Sequence, residues 1–206
     1  MSNCKITKKV FNVGQLDVLI DHLHCGGVLA YPTESVWGIG ADAFCEQAVE
    51  QVLKLKQRPA SKGLIVLTDH VMKIKPLLVD LPPQNQAHLL KKMSRHHYQN
   101  QAITWLVPIS PSSHIPTLLT GGFNTLAVRI TTHPTLNLIC QKLTSDKNPY
   151  GFLVSTSCNI ANQPPATTFL QAANYFGDSV GYLMDESLGF DKPSQIIDLS
   201  SGKIIR

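Results

Sequence analysis

The sequence predicts a single α/β domain spanning residues 1–206. Three observations favour this fold class. A chain of 206 residues with 43% hydrophobic residues can form one sizeable core. Short apolar runs typical of strands alternate with segments of helical periodicity, and glycine-rich turns separate them. No internal repeat, heptad pattern or linker-like segment divides the chain.

The elements of the first half follow from the spacing of apolar residues. Residues 16–23 carry leucine and isoleucine at helical spacing, and two glycines stop the pattern. Residues 28–31 then form a short apolar run, which predicts a buried strand, and residues 36–40 continue as a tight, glycine-punctuated segment. A second helix is predicted at about residues 46–56, followed by a buried strand at 64–67.

The second half begins with a mostly helical pattern at residues 69–97, interrupted by two prolines at 82 and 83. Residues 110–122 are rich in Pro, Ser and Gly, and we expect a surface loop there. The other predicted elements are helices at 136–143 and 169–176, and strands at 103–108, 126–130, 152–155, 180–184, 195–199 and 203–205.

Charge and cysteine usage narrow the class of protein. The net charge is +4 with a pI near 8.8, which permits an anionic partner but is modest for a dedicated nucleic-acid binder. The five cysteines are scattered, with no C-x-x-C pair, which indicates reduced thiols. No signal-like or membrane-length apolar run is present, so we expect a cytoplasmic protein with no membrane partner.

A cationic stretch marks the end of the second predicted helix. Lys54, Lys56, Arg58 and Lys62 fall within nine residues, and an apolar strand follows. Pro59 cannot continue the helix, so we expect the charges on a short loop at the sheet edge, where Arg and Lys suit phosphate oxygens. The competing interpretation is a solvated helix end, because cations favour a helix C-terminus.

Two hydroxyl-rich turns each follow a predicted strand. Residues 32–35 place two hydroxyls and a carboxylate at a strand end, as in sites for small polar ligands. Residues 155–159 could direct donors at phosphate oxygens, as anion-binding nests do. Each turn could instead cap its own backbone or a helix. Neither standard nucleotide-binding glycine motif occurs.

The remaining candidates are an arginine and two histidine pairs. Arg129 lies near the end of a predicted strand, where it could clamp a carboxylate or form a structural ion pair. His22 and His24 are two apart on a helix, so they point to different sides and do not suggest a metal site. A basic cluster at residues 91–97 favours a solvated face over an RNA contact.

These motifs together resemble the YrdC/TsaC family of L-threonylcarbamoyladenylate synthases. The resemblance covers nearly the whole chain in the family's order, and its signature pairs Lys-x-Arg with Ser-x-Asn. The matching segments are Ala30-Tyr31-Pro32-Thr33-Glu34-Ser35, Lys56-x-Arg58-Pro59, Lys62-Gly63-Leu64-Ile65, Thr125-Leu126-Ala127-Val128-Arg129 with His133-Pro134, Ser155-Thr156-Ser157-Cys158-Asn159, and Pro193-Ser194-Gln195-Ile196-Ile197-Asp198.

The resemblance implies a single domain in which a twisted mixed sheet, flanked by helices, surrounds a positively charged concave cavity. It also implies a nucleotidyltransferase that joins L-threonine, bicarbonate (or CO2) and ATP into threonylcarbamoyl-AMP and pyrophosphate. ATP would be a substrate and would carry Mg²⁺ with it. A separate tRNA transferase complex would use the product to modify the adenosine beside the anticodon in tRNAs that read ANN codons.

The resemblance further implies roles for eleven residues. The ATP phosphates would be held by Lys56, Arg58 and Lys62, of which Lys56 and Arg58 would be catalytic. The nucleotide would contact Thr125, Ser157 and Asn159, with Ser194 as a weaker candidate. The threonine end would be lined by Thr33, Ser35, Arg129 and Ser155, with Arg129 against the carboxylate. No protein ligand to a metal is implied.

Four departures from the family pattern bear on the site. Ser35 replaces the commoner Thr, and Cys158 replaces the usual Ala. Residues 99–102 replace a Trp-Pro-Gly-Pro turn, and a short insertion occupies about residues 145–150. The rival functions are a non-catalytic module binding rRNA or tRNA, double-stranded RNA included, and a carbamoyl-transfer domain of hydrogenase maturation. The zinc-finger cysteines that accompany the latter are absent from the sequence.

Overall fold

The computed structural model describes residues 10–95 and 100–206, and its described strands join in one nine-stranded mixed sheet flanked by helices. The strands are β1 (Val10–Asn12), β2 (Leu29–Pro32), β3 (Trp37–Gly40), β4 (Ile65–Thr68), β5 (Ile103–Pro108), β6 (Thr125–Ile130), β7 (Leu153–Ser157), β8 (Gly181–Met184) and β9 (Gln195–Asp198). The helices are α1 (Leu16–His24), α2 (Glu46–Lys56), α3 (Pro83–Arg95), α4 (Thr117–Thr120), α5 (Pro134–Leu143) and α6 (Phe169–Phe176). The predicted α/β fold class is confirmed.

The order of strands across the sheet is β1-β8-β2-β3-β7-β4-β6-β5-β9. Strand β4 runs parallel to β6 and antiparallel to β7, while β3 runs antiparallel to β7. The starts of β4 and β6 and the end of β7 therefore meet at one end of the sheet. This topology brings together segments that lie almost 100 residues apart in the sequence.

The sheet separates two apolar clusters. Neighbouring residues of one strand contribute to different clusters, as Val66 and Leu67 do in β4, because successive side chains of a strand point to opposite faces. Helices α2, α3 and α6 cover one face, and α1 and α5 cover the other. No helix within the described ranges is long and apolar enough to span a membrane.

The cationic stretch begins where α2 ends. Gln57 takes a left-handed conformation with φ of 51°, which turns the chain out of the helix. Residues Ala60–Lys62 form a 3₁₀ turn that leads into β4. The predicted position at the sheet edge was wrong, because β4 lies between β7 and β6 in the interior of the sheet. The loop instead lies at the end of a central strand.

Several predicted elements differ from the structure. Residues 36–40 contain strand β3, and the expected loop at 110–122 contains α4 and a 3₁₀ turn. The expected strand at 203–205 makes only one bridge, from Ile204 to Ile197, and the helical region before α3 is a 3₁₀ segment, Val71–Leu78. The basic cluster at 91–97 and the altered turn at 99–102 both extend into residues 96–99, which lie outside the described residues.

Glycines explain why β3 was not predicted as a strand. A Cβ atom on Gly40 would lie 1.5 Å from the carbonyl oxygen of Val154, so no other residue fits against β7 there. Gly38 is similarly crowded, with Tyr31 and Thr33 side-chain atoms within 3.0 Å of a hypothetical Cβ. Glycine in a strand marks a close backbone approach, although in the sequence it resembles a loop.

The buried side chains of Asn148 and Tyr150 hold the insertion near residues 145–150 to the protein. The Asn148 amide donates to Asp42 Oδ1 and to the Phe152 carbonyl, both at 2.9 Å. The Asn148 side-chain oxygen accepts from the Phe152 backbone at 2.8 Å. The insertion is thus a fixed turn that leads directly into β7.

Candidate active site

A cavity of about 620 Å³ opens at the end of the sheet where β4 and β6 begin and β7 ends. Nine of the eleven predicted site residues line this cavity: Thr33, Ser35, Arg58, Lys62, Thr125, Arg129, Ser155, Ser157 and Ser194. Lys56 and Asn159 are not among the lining residues. The topology described above accounts for the assembly, because it places both hydroxyl turns and the cationic loop around one opening.

The basic end of the cavity is built on the cationic loop. Arg58 is half-buried, and its Nε and Nη2 donate to the Gly63 carbonyl at 3.2 and 2.9 Å. Burial and the neighbouring Arg206 lower the pKa of the Arg58 guanidinium. The Lys62 side chain is exposed, and its ammonium makes no hydrogen bond or ion pair with the described part of the chain. It is therefore available to a ligand.

Helix α4 fixes the position of this loop. The Leu64 backbone donates to the Leu119 carbonyl at 2.8 Å. A Cβ atom on Gly121 would lie 2.5 Å from the Gly63 nitrogen, so the two backbones pack directly against each other. Both glycines have positive φ, at 66° and 58°. The loop is consequently braced by backbone contacts that larger residues would disrupt.

Lys56 is not a loop charge, which corrects the expectation drawn from the sequence. It is the last residue of α2, is only 4% exposed, and directs its ammonium at the second hydroxyl turn. Its Nζ donates to the carbonyl oxygens of Ser157 and Asn159, the latter at 2.8 Å, and to Asn159 Oδ1 at 3.0 Å. Burial, with a smaller effect of Arg58, lowers the pKa of Lys56 to about 8.

The second hydroxyl turn is stabilised internally as well as by Lys56. Ser157 Oγ donates to Asn159 Oδ1 at 2.7 Å, and the Asn159 amide donates to the Gln163 carbonyl at 2.5 Å. Cys158, between them, is fully buried in the core, and burial raises its pKa to about 12. The hydrogen bonds of Lys56 therefore connect the Lys-x-Arg motif to the Ser-x-Asn motif.

The first hydroxyl turn shows both interpretations offered above. Thr33 Oγ1 donates to the Val36 carbonyl at 2.6 Å, so this hydroxyl caps its own turn while its side chain lines the cavity. The hydroxyl of Ser35 makes no bond to any residue in the described ranges, which leaves it available to a ligand. Ser155 lies opposite on β7, with its Oγ 3.2 Å from a hypothetical Gly38 Cβ.

The connection from β8 to β9 holds this turn from outside. The three consecutive carbonyl oxygens of residues 33–35 each accept a hydrogen bond, at 3.2, 2.8 and 3.1 Å respectively. The corresponding donors are Leu188 N, Phe190 N and Ser187 Oγ. The turn is thereby fixed by a segment about 150 residues later in the chain.

Arg129 is both a cavity residue and part of an ion pair, so neither alternative excludes the other. Its Nη1 lies 3.2 Å from Glu34 Oε2, and its Nε donates to Thr104 Oγ1 at 3.3 Å. The side chain is 12% exposed, towards the cavity. Thr104 in turn donates to Ser194 Oγ at 3.2 Å.

Sequence reasoning missed the site roles of four charged residues, Arg206, Lys192, Asp191 and Glu34. Arg206 lines the cavity and donates from Nη2 to the Ser194 carbonyl at 3.3 Å, and Lys192 also lines it. Neither stands within a charge cluster or a matching motif, so no sequence signal distinguished them. Glu34 was noted only as the carboxylate of its turn, and nothing in the sequence predicted its pairing with Arg129.

The fold and the lining define an α/β protein with a hydroxyl-rich cavity, which among the described residues is lined by five basic side chains and one acidic side chain. The chain belongs to the Sua5/YciO/YrdC family. That family model, described as "Telomere recombination", matches residues 21–206. The threonylcarbamoyl-AMP synthase of Moraxella catarrhalis is 48% identical over 97% of this chain and 98% of its own length.

Solved structures agree with this family. Sua5 of P. abyssi complexed with L-threonine is 25% identical, with a TM-score of 0.77 over 96% of this chain. This chain spans only 56% of the length of that Sua5 chain. YciO of E. coli has a TM-score of 0.75 over 97% of this chain and 95% of its own length. At 16% identity it supports the fold alone.

Proposed function

We propose that this protein is a threonylcarbamoyl-AMP synthase, which forms threonylcarbamoyl-AMP and pyrophosphate from L-threonine, bicarbonate or CO2, and ATP. The observation that carries the proposal is one cavity with a basic end at Arg58 and Lys62 and a hydroxyl-lined end at Arg129. The names of the close bacterial relatives support the same activity. The product would pass to a tRNA-modifying transferase complex in the cytoplasm.

The cavity residues divide between the two larger substrates. Arg58 and Lys62 would bind the triphosphate of ATP, because Arg presents a planar fork to phosphate and Lys a point charge. Arg129 would pair with the threonine carboxylate. The hydroxyl ligands would be Thr125, Ser157 and Ser194 for the nucleotide, and Thr33, Ser35 and Ser155 for threonine.

The chemistry suits a site without a strong base. The threonine amine condenses with bicarbonate, with loss of water, or adds to CO2, with loss of a proton, and the resulting N-carboxylate is already an anion at neutral pH. Its oxygen attacks the α-phosphorus of ATP, and the bond to the bridging oxygen of the β-phosphate breaks to release pyrophosphate. The protein must align two anions and neutralise charge on the phosphates, which is positioning combined with electrostatic stabilisation.

Lys56 and Asn159 would act one step away from the substrates. Lys56 binds the turn that carries Ser157, so it would affect nucleotide binding by fixing the orientation of that turn. Asn159 accepts hydrogen bonds from both Lys56 and Ser157. We therefore assign the direct phosphate contacts to Arg58 and Lys62, and a supporting role to this pair.

Magnesium would be held mainly by ATP. Among the described lining residues the one carboxylate is Asp191, and no three His, Cys, Asp or Glu residues in the described ranges are grouped to bind a metal. The donor set therefore fits an ion that keeps its phosphate and water ligands and takes at most one from the protein. The ion would supply charge neutralisation at the phosphates.

The alternative of a non-catalytic RNA-binding module is less well supported. The relatives carry an enzyme name, and five of the described basic residues line a cavity of small-molecule size. Direct RNA binding, double-stranded RNA included, stays a prediction that would show as an affinity falling steeply with salt.

The test is pyrophosphate release from ATP in the presence of L-threonine and bicarbonate. We expect release that requires both co-substrates, and a loss of at least tenfold in Lys62→Ala, since this exposed cation faces the cavity. Lys54→Ala is the matched control, because Lys54 is exposed on α2 and is not a lining residue. Release independent of threonine, by a folded protein, would contradict the proposal.

A further inference from the structure

Glu34 stands between two proposed threonine ligands yet does not line the cavity. It lies between Thr33 and Ser35, but its carboxylate points into the protein and the residue is 1% exposed. A buried carboxylate costs free energy unless it is paired and hydrogen-bonded. Its retention at this position therefore requires an explanation from its contacts.

Both carboxylate oxygens of Glu34 are occupied by groups at the end of β6. Oε1 accepts from Thr131 Oγ1 at 2.8 Å and from the Thr132 backbone at 3.2 Å. Oε2 accepts from Arg129 Nη1 at 3.2 Å. Burial alone would raise the pKa of this carboxyl, but Arg129 and the hydrogen bonds lower it overall. Glu34 is thus an ionised, fixed acceptor at neutral pH.

These contacts determine how Arg129 presents its guanidinium. Glu34 binds Nη1 and Thr104 binds Nε, so two points of the planar group are held by side chains that are themselves buried. Within residues 10–95 and 100–206, Nη2 donates to no protein acceptor. The N–H donors of Nη2 are therefore available to a ligand in the cavity, and the guanidinium presents them in one orientation.

We propose that Glu34 is a positioning residue that orients Arg129 towards the carboxylate of the amino-acid substrate. This inference rests on the proposed function. A guanidinium held at two points loses less rotational freedom on binding, so the gain appears in the affinity for the amino acid. If Glu34 acted only as a counter-charge, it would lower the affinity for the amino acid, because neutralising Arg129 weakens its attraction for an anion.

The two possibilities predict opposite effects of Glu34→Gln, which keeps the size of the side chain and removes its charge. If Glu34 orients Arg129, the KM for L-threonine should rise about tenfold, while the KM for ATP changes less than twofold. The inhibition constant of L-threoninol, which lacks the carboxylate, should stay unchanged. A fall in the KM for threonine would identify a counter-charge and overturn the proposal.

Two further variants keep the test decisive. Thr131→Val removes one donor to Glu34, together with the acceptor of the His133 backbone N–H. We expect a smaller rise in the KM for threonine, about threefold, even if Glu34→Gln does not fold. Thr132→Ala is the matched control, since its bond to Glu34 comes from the backbone and should persist.

The remaining outcomes also decide the question. An unchanged KM for threonine in the folded Glu34 and Thr131 variants, or equal rises for threonine and ATP, would show a merely structural role. If the wild-type protein already fails to use threonine, the proposed function fails and this inference fails with it.

Discussion

At the scale of single residues, the environment of a charge decides its role. Lys56 and Lys62 are six positions apart, yet one is buried against the Ser157–Asn159 turn and the other is exposed at the cavity. The sequence predicted the cationic cluster, and the family resemblance paired its motif with Ser-x-Asn without predicting a contact between them. It did not predict which cation would be buried, because that depends on where α2 meets the end of β7.

The lowered pKa of Lys56 gives a test at this scale. The unfolded chain titrates Lys at about 10.4 and the folded protein at about 8, so the unfolded chain binds more protons between these values. Stability therefore rises with pH in this window. Relative to Lys56→Met, the wild type should gain on the order of 1–3 kcal/mol of unfolding free energy between pH 7.5 and 10.

Urea unfolding followed by circular dichroism at several pH values would measure this gain. Lys54→Met, on the same helix, is the matched control for the loss of one lysine charge. A difference in unfolding free energy between wild type and Lys56→Met that stays constant from pH 7.5 to 10 would contradict the lowered pKa of Lys56.

At the scale of elements, strong periodicity was predictable and close backbone approach was not. Helices α2 and α6 have the predicted bounds, because apolar spacing and their stop signals coincide. Strand β3 was missed because its glycines are required by contact with β7, a strand more than 100 residues away. The motifs predicted most of the residues that line the cavity. They did not predict the supporting contacts from α4 and from the β8–β9 connection.

Gly40→Ala tests the contact between β3 and β7. The added Cβ would overlap the Val154 carbonyl, so the strands must separate, and we expect a loss of about 3 kcal/mol or more of unfolding free energy. Gly122→Ala is the comparison: it has positive φ but no atom within 4 Å of the added Cβ, and should cost about 1 kcal/mol. Equal losses in denaturant unfolding would refute the packing argument.

At the scale of the whole molecule, ligand binding and stability are coupled through the cavity. Its walls come from β-strands, the cationic loop, α4 and the C-terminal segment, so a ligand that bridges them favours the folded state. Such a ligand at 100 times its dissociation constant adds about 2.7 kcal/mol to stability. The effect depends on the charges that hold the ligand.

ATP should therefore raise the melting temperature of the wild type by several degrees. Lys62→Ala should lose most of this increase, whereas Lys54→Ala should keep it. Differential scanning fluorimetry with and without ATP measures both. An equal increase in all three proteins would show that Lys62 takes no part in binding the triphosphate.

The hydrogen bonds from residues 187–190 to the turn at residues 33–35 bear on how the protein is made. During synthesis the turn emerges from the ribosome long before the segment that fixes it. A chain that has been translated only through β7 contains seven of the nine described strands but lacks the segment that supports the amino-acid end of the cavity. Competence for substrate is thus acquired late in translation, and such distant pairings are expected to slow its final folding step.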